Sequence, residues 1–171
     1  KSMGKNKSRI IFKVPSRGLI GFQGQFLNET RGTGVLNRIF LSYDNFKGNI
    51  DNRRKGVLIA TESGNAIAYA LFNLQERGKL FIEPQTKVYQ GMIVGENSRD
   101  NDLEVNVLKG KKLTNVRASG TDEAVKLVPS IKMSLEQMMS YIKEDELLEI
   151  TPSNLRLRKK FLDAIERKRK A

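Results

Sequence analysis

The chain has no cysteine, no histidine and no tryptophan, only four prolines, and aromatic residues at 7% of its 171 positions. Each absence removes a class of chemistry. Without cysteine there is neither a disulfide framework nor a thiolate metal site, and the empty count fits a cytosolic address. Without histidine there is no Ser-His or Cys-His pair, no ordinary proton shuttle near neutral pH, and no imidazole for a transition metal. Carboxylates could still do acid and base work, but the one dense run, "EDELLE" at 144–149, reads as a solvated face. A phosphate-cradling G-x-x-x-x-G-K-[ST] loop is missing too, since "GKK" at 110–112 lacks the upstream glycine and the following Ser or Thr. No apolar run approaches the roughly 18 residues that span a bilayer, and no signal-peptide pattern is present.

What the chain has in surplus is positive charge. Lys and Arg number 31 against 19 Asp and Glu, for a net charge of +12 and a pI near 10.0. Such a field attracts polyanions, of which nucleic acid is the commonest that a soluble protein meets. The apolar fraction, 39%, is enough for a core, and the length suits one ordinary domain or two small ones.

Along the chain, the opening "KSMGKNK" is polar and begins without Met, which reads as a cut within a longer protein. In "RIIFKV", Ile10, Phe12 and Val14 alternate onto one face and Pro15 stops the pairing, which predicts a strand. Leu19, Phe22 and Phe26 recur at helical spacing, so residues 17–31 are expected to be a helix, with Ser16 as cap and Gly32 ending it in a left-handed conformation. A second strand is expected in "GVLNRIFLSYD", with Val35, Ile39, Leu41 and Tyr43 on one side. Residues 1–46 thus read as strand, helix, strand. A basic, glycine-bounded linker follows at 47–56.

Beyond it the period is mostly two. "GVLIATESGNAIAYAL" reads as a hairpin turning at "SGN", and "KLFIE", "TKVYQGMIVGE", "LEVNVLKG" and "DEAVKLV" read as further short strands. One helix interrupts them, announced by a Ser134–Gln137 capping box, with Leu135, Met138, Met139 and Ile142 on its buried side. "LLEITPSNLRLRKK" reads as two strands around a "TPSN" turn, with Leu155 and Leu157 inward and Arg156 and Arg158 outward. A short helix runs into a basic tail. The expected class is α+β: a partial βαβ unit, then a β-rich, barrel-like domain with one inserted helix.

The segment "LKGKKLTNVRASGTDE", residues 108–123, gathers Lys109, Lys111, Lys112 and Arg117 with the short donors Thr114, Asn115, Ser119 and Thr121 around two glycines. Such groups suit the phosphates and riboses of a structured RNA, while a merely solvated loop is the bland alternative. Few aromatics means few stacking platforms, so backbone and shape recognition is favoured over base stacking.

Four stretches, "VPSRGLIGFQGQF", "GNAIAYALFNLQERGKLFI", "VYQGMIVGENSRDNDLEVNVLKGKKLTNVRASGTDEAVKLVP" and "DELLEITPSNLRLRKK", closely resemble the C-terminal third of the TypA/BipA family of translational GTPases, bacterial relatives of elongation factor G. The resemblance implies that residues 1–46 are the second half of a ferredoxin-like domain and residues 47–171 the C-terminal domain peculiar to that family. It implies ribosome association, with links to large-subunit assembly and to growth in cold or stress. GTP and Mg would bind an N-terminal domain outside these residues, so no cofactor, metal or catalytic residue is expected here. A loop of the family's special domain reaches the acceptor end of the A-site tRNA. Carried onto this sequence, its contacts to tRNA or ribosomal RNA would be Lys109, Lys111, Lys112, Asn115, Arg117, Ser119 and Thr121, with Arg156, Arg158, Lys159 and Lys160 as second-rank candidates. A ferredoxin-like half without its opening strand leaves edges exposed, which predicts a strand-swapped homo-oligomer or poor order. The alternative role is a docking module for the rest of such a GTPase, its charge serving solubility.

Overall fold

The computed structural model describes residues 8–48, 55–110 and 126–170. It divides into two compact units, Lys1–Asn52 and Arg53–Ala171.

In the first unit the expected helix forms and the expected strands do not. A 3-10 turn over Ser16–Leu19 precedes helix α1, Phe22–Glu29, and the two are separated at Gly21, whose φ of 75° breaks the helical run. Ser16 makes no capping bond; Pro15 holds the cap position of the turn. The far end of α1 closes as a Schellman motif, with the Arg31 N–H donating to the Asn28 carbonyl at 3.1 Å and the Gly32 N–H to the Leu27 carbonyl at 2.7 Å. Arg31 as well as Gly32 is left-handed there, at φ 51° and 76°. Residues 9–14 and 34–44 carry no strand ladder, and their apolar side chains stay in solvent: Phe12 is 76% exposed, Ile39 91% and Tyr43 96%. A helix satisfies its backbone within itself, whereas a strand needs a neighbour. Among the described residues, neither segment has one.

The second unit holds all the buried apolar core residues among those described. Its elements run β1 (Val57–Ala60), β2 (Gly64–Asn65), α2 (Ala68–Leu74), β3 (Gly78–Leu80), β4 (Lys87–Val88), β5 (Met92–Asn97), β6 (Leu103–Val105), α3 (Leu135–Tyr141), β7 (Glu146–Ile150), β8 (Leu155–Lys159) and α4 (Ala164–Lys170). The main sheet has the order β6-β1-β5-β8-β7, with β3 also paired to β5; β2 and β4 form a separate short ladder. All pairings are antiparallel except β1 with β6. The sheet stays open, so the barrel-like expectation is corrected to a mainly antiparallel sheet with helices.

Both faces of this sheet are covered, which explains why β1 reads "VLIA" without a polar residue: all four side chains are buried. On one face Leu58, Ala60, Met92 and Val94 pack with Leu71 and Leu74 of α2. On the other, Val57, Ile59, Ile93 and Leu157 pack with Met138 of α3. The predicted hairpin at "SGN" is not formed. Residues 68–74 are helical instead, because Ala70, Leu71 and Leu74 give a buried stripe at helical spacing. The Ser134–Gln137 capping box is present in both directions. Met138 is buried, but Met139 is 52% exposed, against expectation. The "TPSN" turn joins β7 to β8 as read, with the Thr151 N–H donating to the Asn154 carbonyl at 2.9 Å. Of the expected strand "DEAVKLV", residues 122–125 lie outside the described residues and 126–128 form no strand.

Candidate nucleic-acid interface

Of the seven first-rank candidates, Lys109 alone is among the described residues; Lys111, Lys112, Asn115, Arg117, Ser119 and Thr121 lie outside them. The backbone leading to Lys109 is firmly held. Val107 is 1% exposed, its carbonyl accepts from the Ile67 N–H at 2.9 Å, and the Leu108 N–H donates to Asn106 Oδ1 at 2.8 Å. Leu108 lies close over Gly64, where a Cβ would come within 2.9 Å of its Cδ2. Lys109 itself is exposed.

The four second-rank candidates, all in or next to β8, meet four different environments. Arg156 stands across the ladder from Glu149 and pairs with it at 3.3 Å, while the Tyr89 hydroxyl donates to the same carboxylate. That hydroxyl bond, with the Arg156 charge behind it, holds Glu149 below the usual carboxylate range. Burial and the bond to Glu149 push Tyr89 up to about 12. Sequence reading did not foresee this network, since nothing in the spacing of residues 89 and 149 announces it. Arg158 donates only to the Lys159 carbonyl, at 3.4 Å, and forms no ion pair among the described residues. Lys160 is exposed beside Phe161.

Lys159 is the exception, at 1% exposure. Its ammonium contacts Asp102 and Asp145 at 2.6 Å each and Glu146 at 3.1 Å. Burial opposes its charge, but the bonds to Asp102 and Asp145, with the Glu146 charge, raise its pKa above the ordinary 10.5. The three carboxylates converge as they would around a metal ion, yet the cation among them is this lysine. Lys159 therefore has no face to offer a phosphate and is not carried forward as an RNA contact. Strand alternation carried the signal: Leu155, Leu157 and Lys159 share one side of β8. "EDELLE" is corrected likewise, because Glu146 is 3% exposed and belongs to this cluster.

Residues 55–164 match the family model of the TypA/BipA C-terminal domain. The chain belongs to the TypA/BipA family. Residues 1–54 match the elongation factor G C-terminus. Relatives in the family include proteins named large ribosomal subunit assembly factor BipA from Salmonella typhimurium strain LT2, 54% identical over 167 residues, Escherichia coli K12, 53% identical, and Haemophilus influenzae Rd, 53% identical. Each alignment covers 97% of this chain, which spans only 27–28% of the length of these TypA/BipA relatives. Among the described residues no helix is long and apolar enough to cross a membrane.

Tyr89 and Lys159 both hold their protons more tightly in the fold than in an unfolded chain. The Tyr89 contribution is therefore complete below pH 10.0, the ordinary tyrosine value, and is lost as pH rises toward about 12; that of Lys159 is likewise present below its ordinary 10.5 and lost above it. With no histidine, little titrates between roughly pH 6 and 9. Urea unfolding midpoints should thus stay level through neutrality and fall steeply above pH 10, with Tyr89→Phe giving a shallower alkaline fall. Glu149, held low, acts oppositely, and its contribution disappears as pH falls below the ordinary carboxylate value.

Proposed function

We propose that this chain is the ribosome-directed part of a translational GTPase. It binds ribosomal RNA and the acceptor end of A-site tRNA through basic groups and carries no GTP site of its own. The observation that supports this most is that three of the candidate cations, exposed Lys109 and Lys160 and half-buried Arg158, form no ion pair among the described residues, on a TypA/BipA C-terminal domain. Large-subunit assembly is the process named for its relatives, and cold or stress adaptation would follow from it. Lys111, Lys112, Asn115, Arg117, Ser119 and Thr121 complete the proposed contact segment. GTP and Mg would be bound outside these 171 residues, by the remainder of a longer protein in the cytoplasm.

Phosphate contacts make a sharp demand on salt. If the four cations at 109, 111, 112 and 117 each neutralise a phosphate, affinity for purified ribosomes should fall on the order of a hundredfold between ~50 and ~200 mM salt. Co-sedimentation over that series should show this for wild type and a much weaker dependence for Lys109→Ala, Lys111→Ala, Lys112→Ala and Arg117→Ala combined. Equal pelleting of both, insensitive to salt, would instead favour apolar docking.

A second reading concerns the first unit alone. The exposed Phe12, Val35, Ile39 and Tyr43 leave two unladdered segments able to take a strand from outside, supplied by another part of a longer protein or by a second copy of this chain. Light scattering of the isolated chain should then give a mass above one protomer that rises with concentration; a monomer at all concentrations would remove the second copy as occupant.

A further inference from the structure

The sequence reads as a short helix running into a basic tail, and the structure shows that helix, α4, docked. The Asp163 carboxylate accepts from the Ile165 and Glu166 N–H groups at 2.6 and 3.3 Å, starting the helix. Arg167 turns inward: it pairs with Glu104 of β6 at 3.1 Å and donates to the carbonyls of Phe161 and Leu162 at 2.8 and 2.6 Å. Leu162 sits against Gly91, whose φ is 83° and whose Cβ, if present, would lie 2.7 Å from the Leu162 Cα. One arginine is thus used to fasten a helix that carries three more cations.

Those three are exposed and, with Lys160, form no ion pair among the described residues. Lys160 and Lys170 approach the same Phe161 ring, at 5.9 and 4.1 Å from its centre, which brings the two ends of the segment together. Lys168 and Arg169 project from the helix into solvent. A helix C-terminus presents about half a negative charge. One cation offsets that, so most of this charge is unaccounted for by the fold.

The position of the patch supplies the rest. The Ala60 carbonyl accepts from the Gly91 N–H, and the Gly91 carbonyl from the Lys159 N–H, each at 2.9 Å. Ala60 also pairs with Val105, from which the chain runs directly to Lys109. The ends of β1, β6 and β8, the start of β5, α4 and the root of the Lys109 segment therefore share one end of the sheet.

We infer that Lys160, Lys168, Arg169 and Lys170 form a second phosphate-binding patch, which grips the backbone of a structured RNA at the same end of the sheet as Lys109. The inference deepens the ribosome reading and rests on it for its biological target. An anionic membrane is a poorer fit, because a seven-residue helix whose apolar exposure is Ile165, with Leu162 just before it, offers little to insert.

The test titrates the whole chain with a short A-form RNA duplex, by fluorescence anisotropy over a salt series. Wild type is compared with Lys160→Gln, Lys168→Gln, Arg169→Gln and Lys170→Gln combined, keeping Arg167 so that α4 stays docked. Affinity should drop at least ~10-fold, and the slope of log K against log salt should shrink by about 3, the share of four phosphate contacts. The double variant Lys168→Gln, Arg169→Gln, altered only at solvent-facing positions, should lose about half of that slope with an unchanged melting temperature. Unchanged affinity and slope in both variants would overturn the inference, as would a wild type that fails to bind the duplex at low salt. Loss of binding to phosphatidylserine vesicles with none to RNA would also overturn it, in favour of a membrane. Wild type that binds the duplex but not ribosomes would sink the ribosome reading and leave the patch standing.

Discussion

The second unit depends on one buried ammonium. In the ladder, Leu58 pairs with Leu103, Ile59 with Ile93 and Met92 with Arg158. Asp102, one residue before Leu103, and Lys159, one after Arg158, therefore lie toward diagonally opposite corners of the sheet. Their 2.6 Å contact requires the sheet to coil until those corners meet, further than ordinary strand twist alone would take it. Asp102 also accepts from the Val57 N–H at 2.9 Å, so the same carboxylate fixes the start of β1. A lone buried ammonium would be costly, but three carboxylates offset the lost hydration; removing one partner of such a cluster typically costs about 3–5 kcal/mol.

The clip determines which cations remain for function. On β8, alternate side chains face opposite sides, so turning Lys159 inward turns Arg156 and Arg158 outward. Arg156 is then paired with Glu149, which also accepts from the Tyr89 hydroxyl, while Arg158 and Lys160 form no ion pair among the described residues. Arg167 is consumed by Glu104 and two carbonyls. A net charge of +12 thus overstates what is available to a polyanion. One group of the remaining cations lies at one end of the sheet, where β6 leads to Lys109 and β8 leads to α4.

Local signals were legible in the sequence and distant ones were not. The capping box at Ser134, the "TPSN" hairpin and the left-handed Gly32 that ends α1 all depend on residues within a few positions of one another and form as read, whereas α1 itself starts at Phe22 rather than at residue 17 and is not capped by Ser16. The hairpin at "SGN" failed because alternation in "NAIAYAL" competes with a helical stripe, and α2 wins by burying Leu71 and Leu74 against β1 and β5. The strands of the first unit failed for want of a neighbour, which no strand can provide for itself. At the site, the family resemblance pointed to Lys109 and the basic strand. Treating "LRLRKK" as one basic surface hid Lys159, although period-two alternation separates it from Arg158. The docked role of Arg167 needs Glu104, 63 residues away, and could not be read locally.

The most direct test is the thermal unfolding of Lys159→Met beside Arg158→Met. If the corner clip holds the sheet, Lys159→Met leaves Asp102, Asp145 and the buried Glu146 facing one another, and the melting temperature should fall by roughly 10 °C or more. Arg158→Met, which removes an outward-facing charge, should melt within a degree or two of wild type. Equal melting of the two variants, both close to wild type, would contradict the account: the sheet would then coil without its lysine, and the division between structural and outward-facing cations on β8 would lose its basis.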